Sequence, residues 1–196
     1  MADALTVARS ELILGGQKSG KSRRGEQLAQ SWLAQSPQHK AVFIATAQAW
    51  DDEMTARIAR HQQDRAERLP GMLTLEEPLA LASTLLAHSQ PDTLVLVDCM
   101  TLWLANFLAP TPVLEPNRAL APDWRAQLAI ISGVLMRPAG PVVLVGNEIG
   151  LGVIPMGRET REFVDALGLL NQQLAAACGR VTLMVAGLPL QLKAAA

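Results

Sequence analysis

The chain has 196 residues, with 17 basic and 18 acidic side chains and a formal net charge of −1, a balance that offers no basic face to nucleic acid or to an anionic bilayer. Hydrophobic residues make up 49% and charged residues 18%; the charged share is below the ~25% of an average soluble domain and points to one domain over residues 1–196 with a deeply buried sheet and an apolar subunit contact. No apolar run approaches the ~20 residues of a membrane-spanning helix, residues 1–9 lack the apolar core of a signal peptide, and Cys99 and Cys178 form neither a CxxC pair nor a zinc spacing, so a reduced, cytoplasmic setting is expected.

Residues 11–14 (ELIL) form a short apolar run that ends in Gly15-Gly16, the pattern of a buried strand entering a glycine turn. Residues 22–33 follow with helical spacing, Leu28, Ala29 and Trp32 on one side, and Pro37 closes that helix. Residues 40–46 (KAVFIAT) predict a second strand. Residues 51–68 predict an amphipathic helix whose first turn carries Asp51, Asp52 and Glu53, well placed at the positive end of the helix dipole. Pro70-Gly71 breaks the chain, residues 73–75 predict a short strand, and residues 79–88 another helix. Residues 93–97 (TLVLV) predict a buried strand ending at Asp98, followed by helix over residues 102–108. Residues 109–122 contain four prolines and predict a loop. Helix over residues 124–136, strand over 141–146 (PVVLVG), helix over 158–178 and a last strand over 181–186 complete the chain. Uniformly apolar strands alternating with helices predict an α/β fold, a three-layer sandwich with a mostly parallel central sheet. Ligands of such sheets bind beyond the carboxyl ends of the strands, and every motif found here falls at such an end.

Gly15-Gly16-Gln17-Lys18-Ser19-Gly20-Lys21-Ser22 satisfies GxxxxGK[ST], with a strand before it and a helix after it. Its backbone N–H groups can cradle phosphate oxygens, and the helix adds its positive end. Lys21 is expected to reach the β- and γ-phosphates and Ser22 to bind Mg²⁺. Asp98, ending an apolar strand, is the expected second Mg²⁺ carboxylate; the alternative is a helix N-cap. The motif predicts triphosphate binding and leaves open what is done with it.

His61 lies on the helix that begins at residue 51, with Arg57 and Arg65 one turn away on either side and Asp64 three residues on. Guanidinium groups suit phosphates, and neighbouring cations favour the neutral imidazole that can attack phosphorus. The competing reading is a histidine at the border of the Met54–Ile58 apolar stripe among solvated arginines. Thr46, at the end of the second strand, would place its hydroxyl at the rim of the cradle; the alternative, favoured by its position alone, is a simple strand-end threonine. Glu76 and Glu77 follow the short strand, where a carboxylate can accept from guanine N–H groups or cap a helix. Asn147-Glu148 before Ile149-Gly150 suggests a substrate or phosphate contact, or a capped glycine loop.

The segments GGQKSGKSRRGEQLA, FIATAQAWDDEMTARIARHQQDR, LVDCMTLWLANFL and VGNEIGLGVIPMGRETREFVDALGLLNQQLAAACGRVTLMVAGLPLQLK together resemble the adenosylcobinamide kinase and adenosylcobinamide-phosphate guanylyltransferase family, in order from about residue 11 to 193. The resemblance implies a two-step enzyme acting on ATP or GTP. It phosphorylates the hydroxyl on the aminopropanol arm of adenosylcobinamide, then transfers GMP from GTP, through a GMP–histidine intermediate, to adenosylcobinamide phosphate. By that resemblance His61 is the nucleophile and Lys21 the phosphate-binding catalytic lysine. Nucleotide contacts then fall on residues 15–22, on Ala45, Thr46 and Ala47, on Gln62, Gln63, Asp64 and Arg65, and on Glu76 and Asp98. The stretch between His61 and Glu76 is longer than the family pattern, so Glu77 is the alternative to Glu76. A homotrimer is the assembly the resemblance implies.

Overall fold

The computed structural model describes residues 5–48, 52–108 and 123–194; the side chains of residues 57, 61, 64 and 66 and the proline-rich stretch 109–122 lie outside the description. The apolar runs of the sequence become strands β1 (Ser10–Gly15), β2 (Lys40–Ala45), β3 (Leu73–Glu76), β4 (Thr93–Asp98), β5 (Val142–Val145) and β6 (Arg180–Val185), with a further strand β7 (Leu188–Lys193). Between them lie helices α1 (Lys21–Leu33), α2 (Asp52–Arg68), α3 (Leu81–His88), α4 (Met100–Leu108), α5 (Trp124–Met136) and α6 (Arg158–Ala177). The sheet order is β3-β2-β4-β5-β1-β6-β7, parallel except for the antiparallel β6–β7 pair. The α/β sandwich read from the sequence is the observed architecture.

Alternate residues of the central strands feed two separate cores, as a sheet covered on both faces requires. Leu12, Val42, Ile44, Val95, Val97 and Leu144 pack with α3, α4, α5 and α6. Ile13, Phe43, Leu94, Leu96, Val143 and Val145 pack with Leu28 and Ala29 of α1. Gly25 lets α1 lie close to the sheet, because a Cβ there would come within 2.7 Å of Leu96 Cδ1. Gln127 ties α5 to α3 by accepting from Ala82 N–H at 3.1 Å and donating to Leu79 O at 2.6 Å. Trp103 and Trp124 are buried, and Trp32 stacks on His39 with ring centroids 3.6 Å apart.

Strand β7 is the one element the sequence reading missed. It enters through a two-residue hairpin in which Ala186 (φ 52°) and Gly187 (φ 81°) both have positive φ. That is the twist a tight hairpin needs, but alanine is not one of the residues that announces it. Pro189 also argues against a strand, yet an edge strand tolerates it because its missing N–H costs no ladder bond in the interior of the sheet. Helix α3 starts at Leu81 rather than residue 79, and α4 at Met100 rather than 102. No helix among the described residues is long and apolar enough to cross a membrane.

Candidate active site

The pairing register places the functional positions in one row. Glu76 pairs with Ala45, Ala45 with Asp98, Asp98 with Val145, and Val145 with Ile13, two residues before the glycine turn. With strands ~4.8 Å apart, Asp98 lies about 10 Å from β1 on one side and about 10 Å from β3 on the other. All of these strands end toward the same rim.

Gly15 to Ser22 bends around that rim. Ser19 N–H donates to Gly16 O at 3.3 Å, and Gly187 N–H of the β6–β7 hairpin donates to Ser19 O at 3.0 Å. A Cβ on Gly15 would sit 2.5 Å from Met184 O and 2.6 Å from Ser19 Oγ, so only glycine fits between the loop and β6. Gly20 (φ 99°) is the left-handed residue that starts α1, and Lys18 (φ 55°) also lies in that region. Gly16, Gln17 and Lys18 are exposed at the mouth, whereas Ser19 and Lys21 are buried and Ser22 is half-buried. Lys21 Nζ donates to Gly16 O at 2.6 Å, which holds the ammonium inside the loop. The buried Ser19 Oγ has no hydrogen-bond partner among the described residues, an acceptor and donor left to the cradle.

Thr46 is not where the sequence reading put its hydroxyl. It is fully buried; its Oγ donates to Cys99 O at 2.7 Å and accepts from Cys99 N–H at 2.9 Å. Its N–H donates to Asp98 O at 3.3 Å, and its O accepts from Asn106 Nδ2 at 2.8 Å. Each polar group of Thr46 thus has a partner inside the fold, which gives the residue a bracing role. The reason is that the β2 and β4 ends need satisfaction where no water reaches. Asn106 also donates to Pro78 O at 3.0 Å, and Glu77 N–H to Ala45 O at 2.8 Å, so the ends of β2, β3 and β4 are fastened together. Thr46→Val leaves Cys99 N–H unpaired, while Cys99 O keeps Trp103 N–H at 3.1 Å, and is expected to cost about 1–3 kcal/mol. At about 2–4 °C per kcal/mol for a chain of this size, thermal denaturation measures it.

Glu76 and Glu77 separate cleanly. Glu77 Oε1 accepts from Leu79 N–H at 2.9 Å and Ala80 N–H at 2.6 Å, and thus holds the turn entering α3. Glu76 is exposed and accepts only from Gln62 Nε2 of α2, at 3.1 Å, among its described bonds. Glu76 is thus the carboxylate open to a ligand. Glu77→Ala is expected to lower stability by about 1 kcal/mol, in the range of lost helix caps, with nucleotide KM unchanged. Glu76→Ala is expected to do the reverse, raising the KM for GTP about tenfold at constant melting temperature.

Gln62, Arg65, Thr74 and Glu76 line a cleft of about 450 Å³ between α2 and β3. Arg65 is buried with its guanidinium 3.6 Å above the Phe43 ring. Burial lowers its pKa from the ordinary value, and the charges of Glu26 and Asp98 oppose that. Arg68 pairs with Glu26 of α1 at 2.7 Å. Among the described residues Gln63 donates to Glu67 on its own helix, at 3.4 Å, and it is exposed. His61 and Asp64 belong to α2, but their side chains lie outside the description. Ala45 and Ala47 are half-buried at the rim. Burial pushes the thiols of Cys99 and Cys178 up to about 12, the charge of Asp98 adding to the effect at Cys99, so neither serves as a nucleophile.

Sequence spacing missed the residues that hold this rim: Thr101, whose Oγ1 accepts from Asn147 N–H at 2.8 Å; Asn106; and Asn171, whose Nδ2 donates to Asn147 O at 3.1 Å. Their signal was present as polar residues within apolar helical stretches. All three are buried.

A parallel sheet with a glycine-built phosphate cradle, an internal lysine and a facing strand-end aspartate defines a P-loop nucleotide-binding enzyme. The family model of cobinamide kinase / cobinamide phosphate guanyltransferase matches residues 11–192, and the chain belongs to that family, a group of transferases of cobalamin biosynthesis. The chain is 48% identical over 184 residues to the bifunctional adenosylcobalamin biosynthesis protein CobP of Pseudomonas aeruginosa, covering 93% of this chain and 96% of that protein. It is 36% identical over 187 residues to CobU of Escherichia coli, of the same description, covering 93% and 98%. Among solved structures, the flagellar accessory protein FlaH of Methanocaldococcus jannaschii superposes with a TM-score of 0.51 at 11% identity, over 97% of this chain and 80% of that one. That likeness concerns the fold alone.

Proposed function

We propose that this chain phosphorylates the aminopropanol hydroxyl of adenosylcobinamide with ATP or GTP, then takes GMP from GTP onto His61 and passes it to adenosylcobinamide phosphate. The supporting observation is the shared rim. The phosphate cradle, Asp98 and Glu76 lie along one register row, and the Gln62–Glu76 bond draws to that row the turn of α2 that carries His61. Glu76 then recognises the base or ribose of the nucleotide, with Gln62 and Arg65 beside it, and residues 15–22 hold its phosphates. A phosphoramidate splits GMP transfer into two displacements.

The oxygen donors fit Mg²⁺, which takes one or two carboxylates plus phosphate oxygens rather than a closed protein cage. Ser22 and Asp98 would hold it, and it would supply neutralisation of phosphate charge. No cluster of three or more histidine, cysteine or acidic side chains suited to a metal occurs among the described residues. Exposed Val185, Leu188 and Leu190 on the β6–β7 hairpin, with the low charge content, support a homo-oligomer, a trimer by family resemblance; light scattering measures it. Two unpaired buried thiols support a cytoplasmic setting.

The deciding experiment is incubation with GTP labelled at the α-phosphate, followed by denaturation. Acid-labile, alkali-stable label on the protein supports guanylyl transfer through histidine. Phosphorylation of cobinamide without label leaves a kinase alone, and bound nucleotide with neither signal leaves a binding protein.

A further inference from the structure

The rim carries one carboxylate that the reaction as described does not use. Strand β5 lies between β1, which carries the phosphate cradle, and β4, which carries Asp98. Its exit, Gly146-Asn147-Glu148, therefore emerges between the two groups that hold triphosphate and metal. Glu148 N–H donates to Gly15 O at 3.1 Å, which fixes its backbone against the first residue of the cradle. Its carboxylate is held from two sides: Oε1 accepts from Gly150 N–H at 2.9 Å, and Oε2 from Asn171 Nδ2 at 3.4 Å. Each oxygen keeps a further lone pair.

Glu148 also stands at one end of a groove of about 480 Å³ that runs between α6 and the β6–β7 edge. Leu14, Ala175, Val181 and Leu192 give the groove apolar walls, and Gln172 adds a polar side chain. Leu151, 81% exposed, stands at its border. A groove both apolar and amide-bearing suits a ligand of the same mixed character. Cobinamide is such a ligand, a flat ring fringed with methyl groups and primary amides, and its reacting hydroxyl hangs on a flexible arm.

We propose that this groove docks cobinamide and that Glu148 is the carboxylate that receives the proton of its hydroxyl in the phosphorylation step. The inference rests on the function proposed above and adds the acceptor site to it. The hydroxyl oxygen bonds to the γ-phosphorus as the bond from that phosphorus to the β,γ-bridging oxygen breaks. The nucleoside diphosphate leaves with the electron pair, and the proton passes to Glu148. Asn171, buried beneath the turn, is a positioning residue that holds both Asn147 O and the carboxylate.

Two substitutions test this. Glu148→Gln keeps an amide oxygen for Gly150 N–H and loses the base. It is expected to lower the kcat of cobinamide phosphorylation about 10²-fold, the lower range for a general base, with cobinamide KM within about threefold and enzyme labelling from α-labelled GTP reduced far less. Gly168 lines the groove, and a Cβ there meets nothing within 4 Å, so a side chain can leave the helix there toward the groove. Gly168→Leu is expected to raise cobinamide KM about tenfold while triphosphate KM stays within about twofold. Unchanged kcat in Glu148→Gln, or equal loss of both half-reactions, overturns the role of the carboxylate. Unchanged cobinamide KM in Gly168→Leu overturns the groove. If the wild-type protein neither phosphorylates cobinamide nor takes label from GTP, the functional reading itself fails, which distinguishes the two cases.

Discussion

Lys21→Ala is expected to abolish both cobinamide phosphorylation and labelling by GTP, each by about 10³-fold or more. The magnitude follows from the kind of work the residue does. Phosphoryl and nucleotidyl transfers are catalysed mainly by fixed charge on the phosphates, and Lys21 is a buried cation already held inside the cradle through Gly16 O. A charge fixed there before nucleotide arrives needs no reorganisation when the transferring phosphate gains negative charge. The same substitution is expected to erase most of the rise in melting temperature that saturating GTP gives the wild type, because that rise tracks binding to the folded state. The two readouts separate the cradle from the fold: without nucleotide, the variant is expected to melt close to wild type. Retained phosphorylation would contradict the placement of the triphosphate in residues 15–22.

What the sequence disclosed and what it concealed divide along a physical line. The strand ELIL running into Gly15-Gly16, and TLVLV ending at Asp98, were legible because uniformly apolar strands and a spaced glycine-lysine motif are set by local requirements: burial on two faces, and backbone N–H groups turned inward. Strand β7 was hidden because its stability comes from pairing with β6, while its own residues include Pro189 and its turn uses alanine at positive φ. Thr46 stayed open between two readings for a related reason. Its position at a strand end was right, but whether a hydroxyl faces solvent or a neighbouring peptide depends on Cys99, 53 residues away. The choice between Glu76 and Glu77 likewise turns on which one the α3 entry consumes, and only the fold states that. Local chemistry announces itself in sequence; bracing across strands does not.

His61→Ala is expected to remove labelling by α-labelled GTP and the overall guanylyl transfer by about 10³-fold or more, while cobinamide phosphorylation stays within a few-fold of wild type. The asymmetry is the substance of the prediction. The kinase step passes phosphate directly to an alcohol and draws on the cradle, Asp98 and the acceptor base; it has no use for a second nucleophile. Guanylyl transfer by the two-displacement route has no bond-forming partner for the α-phosphorus once the imidazole is gone. Position 61 sits on a helix pinned to the rest of the protein by contacts that do not involve it: Arg68 to Glu26 of α1, Gln30 Nε2 to Arg68 O at 2.9 Å, Arg65 over Phe43, and Gln62 to Glu76. Truncating residue 61 therefore leaves the anchoring of α2 in place, and loss of labelling reports chemistry rather than collapse of the helix. Added imidazole offers a further check, since a free ring in the vacated space can accept GMP from GTP and release pyrophosphate, restoring pyrophosphate production in the variant but not label on the protein. Equal loss of both activities, with no response to imidazole, would make the residue a structural one rather than the nucleophile.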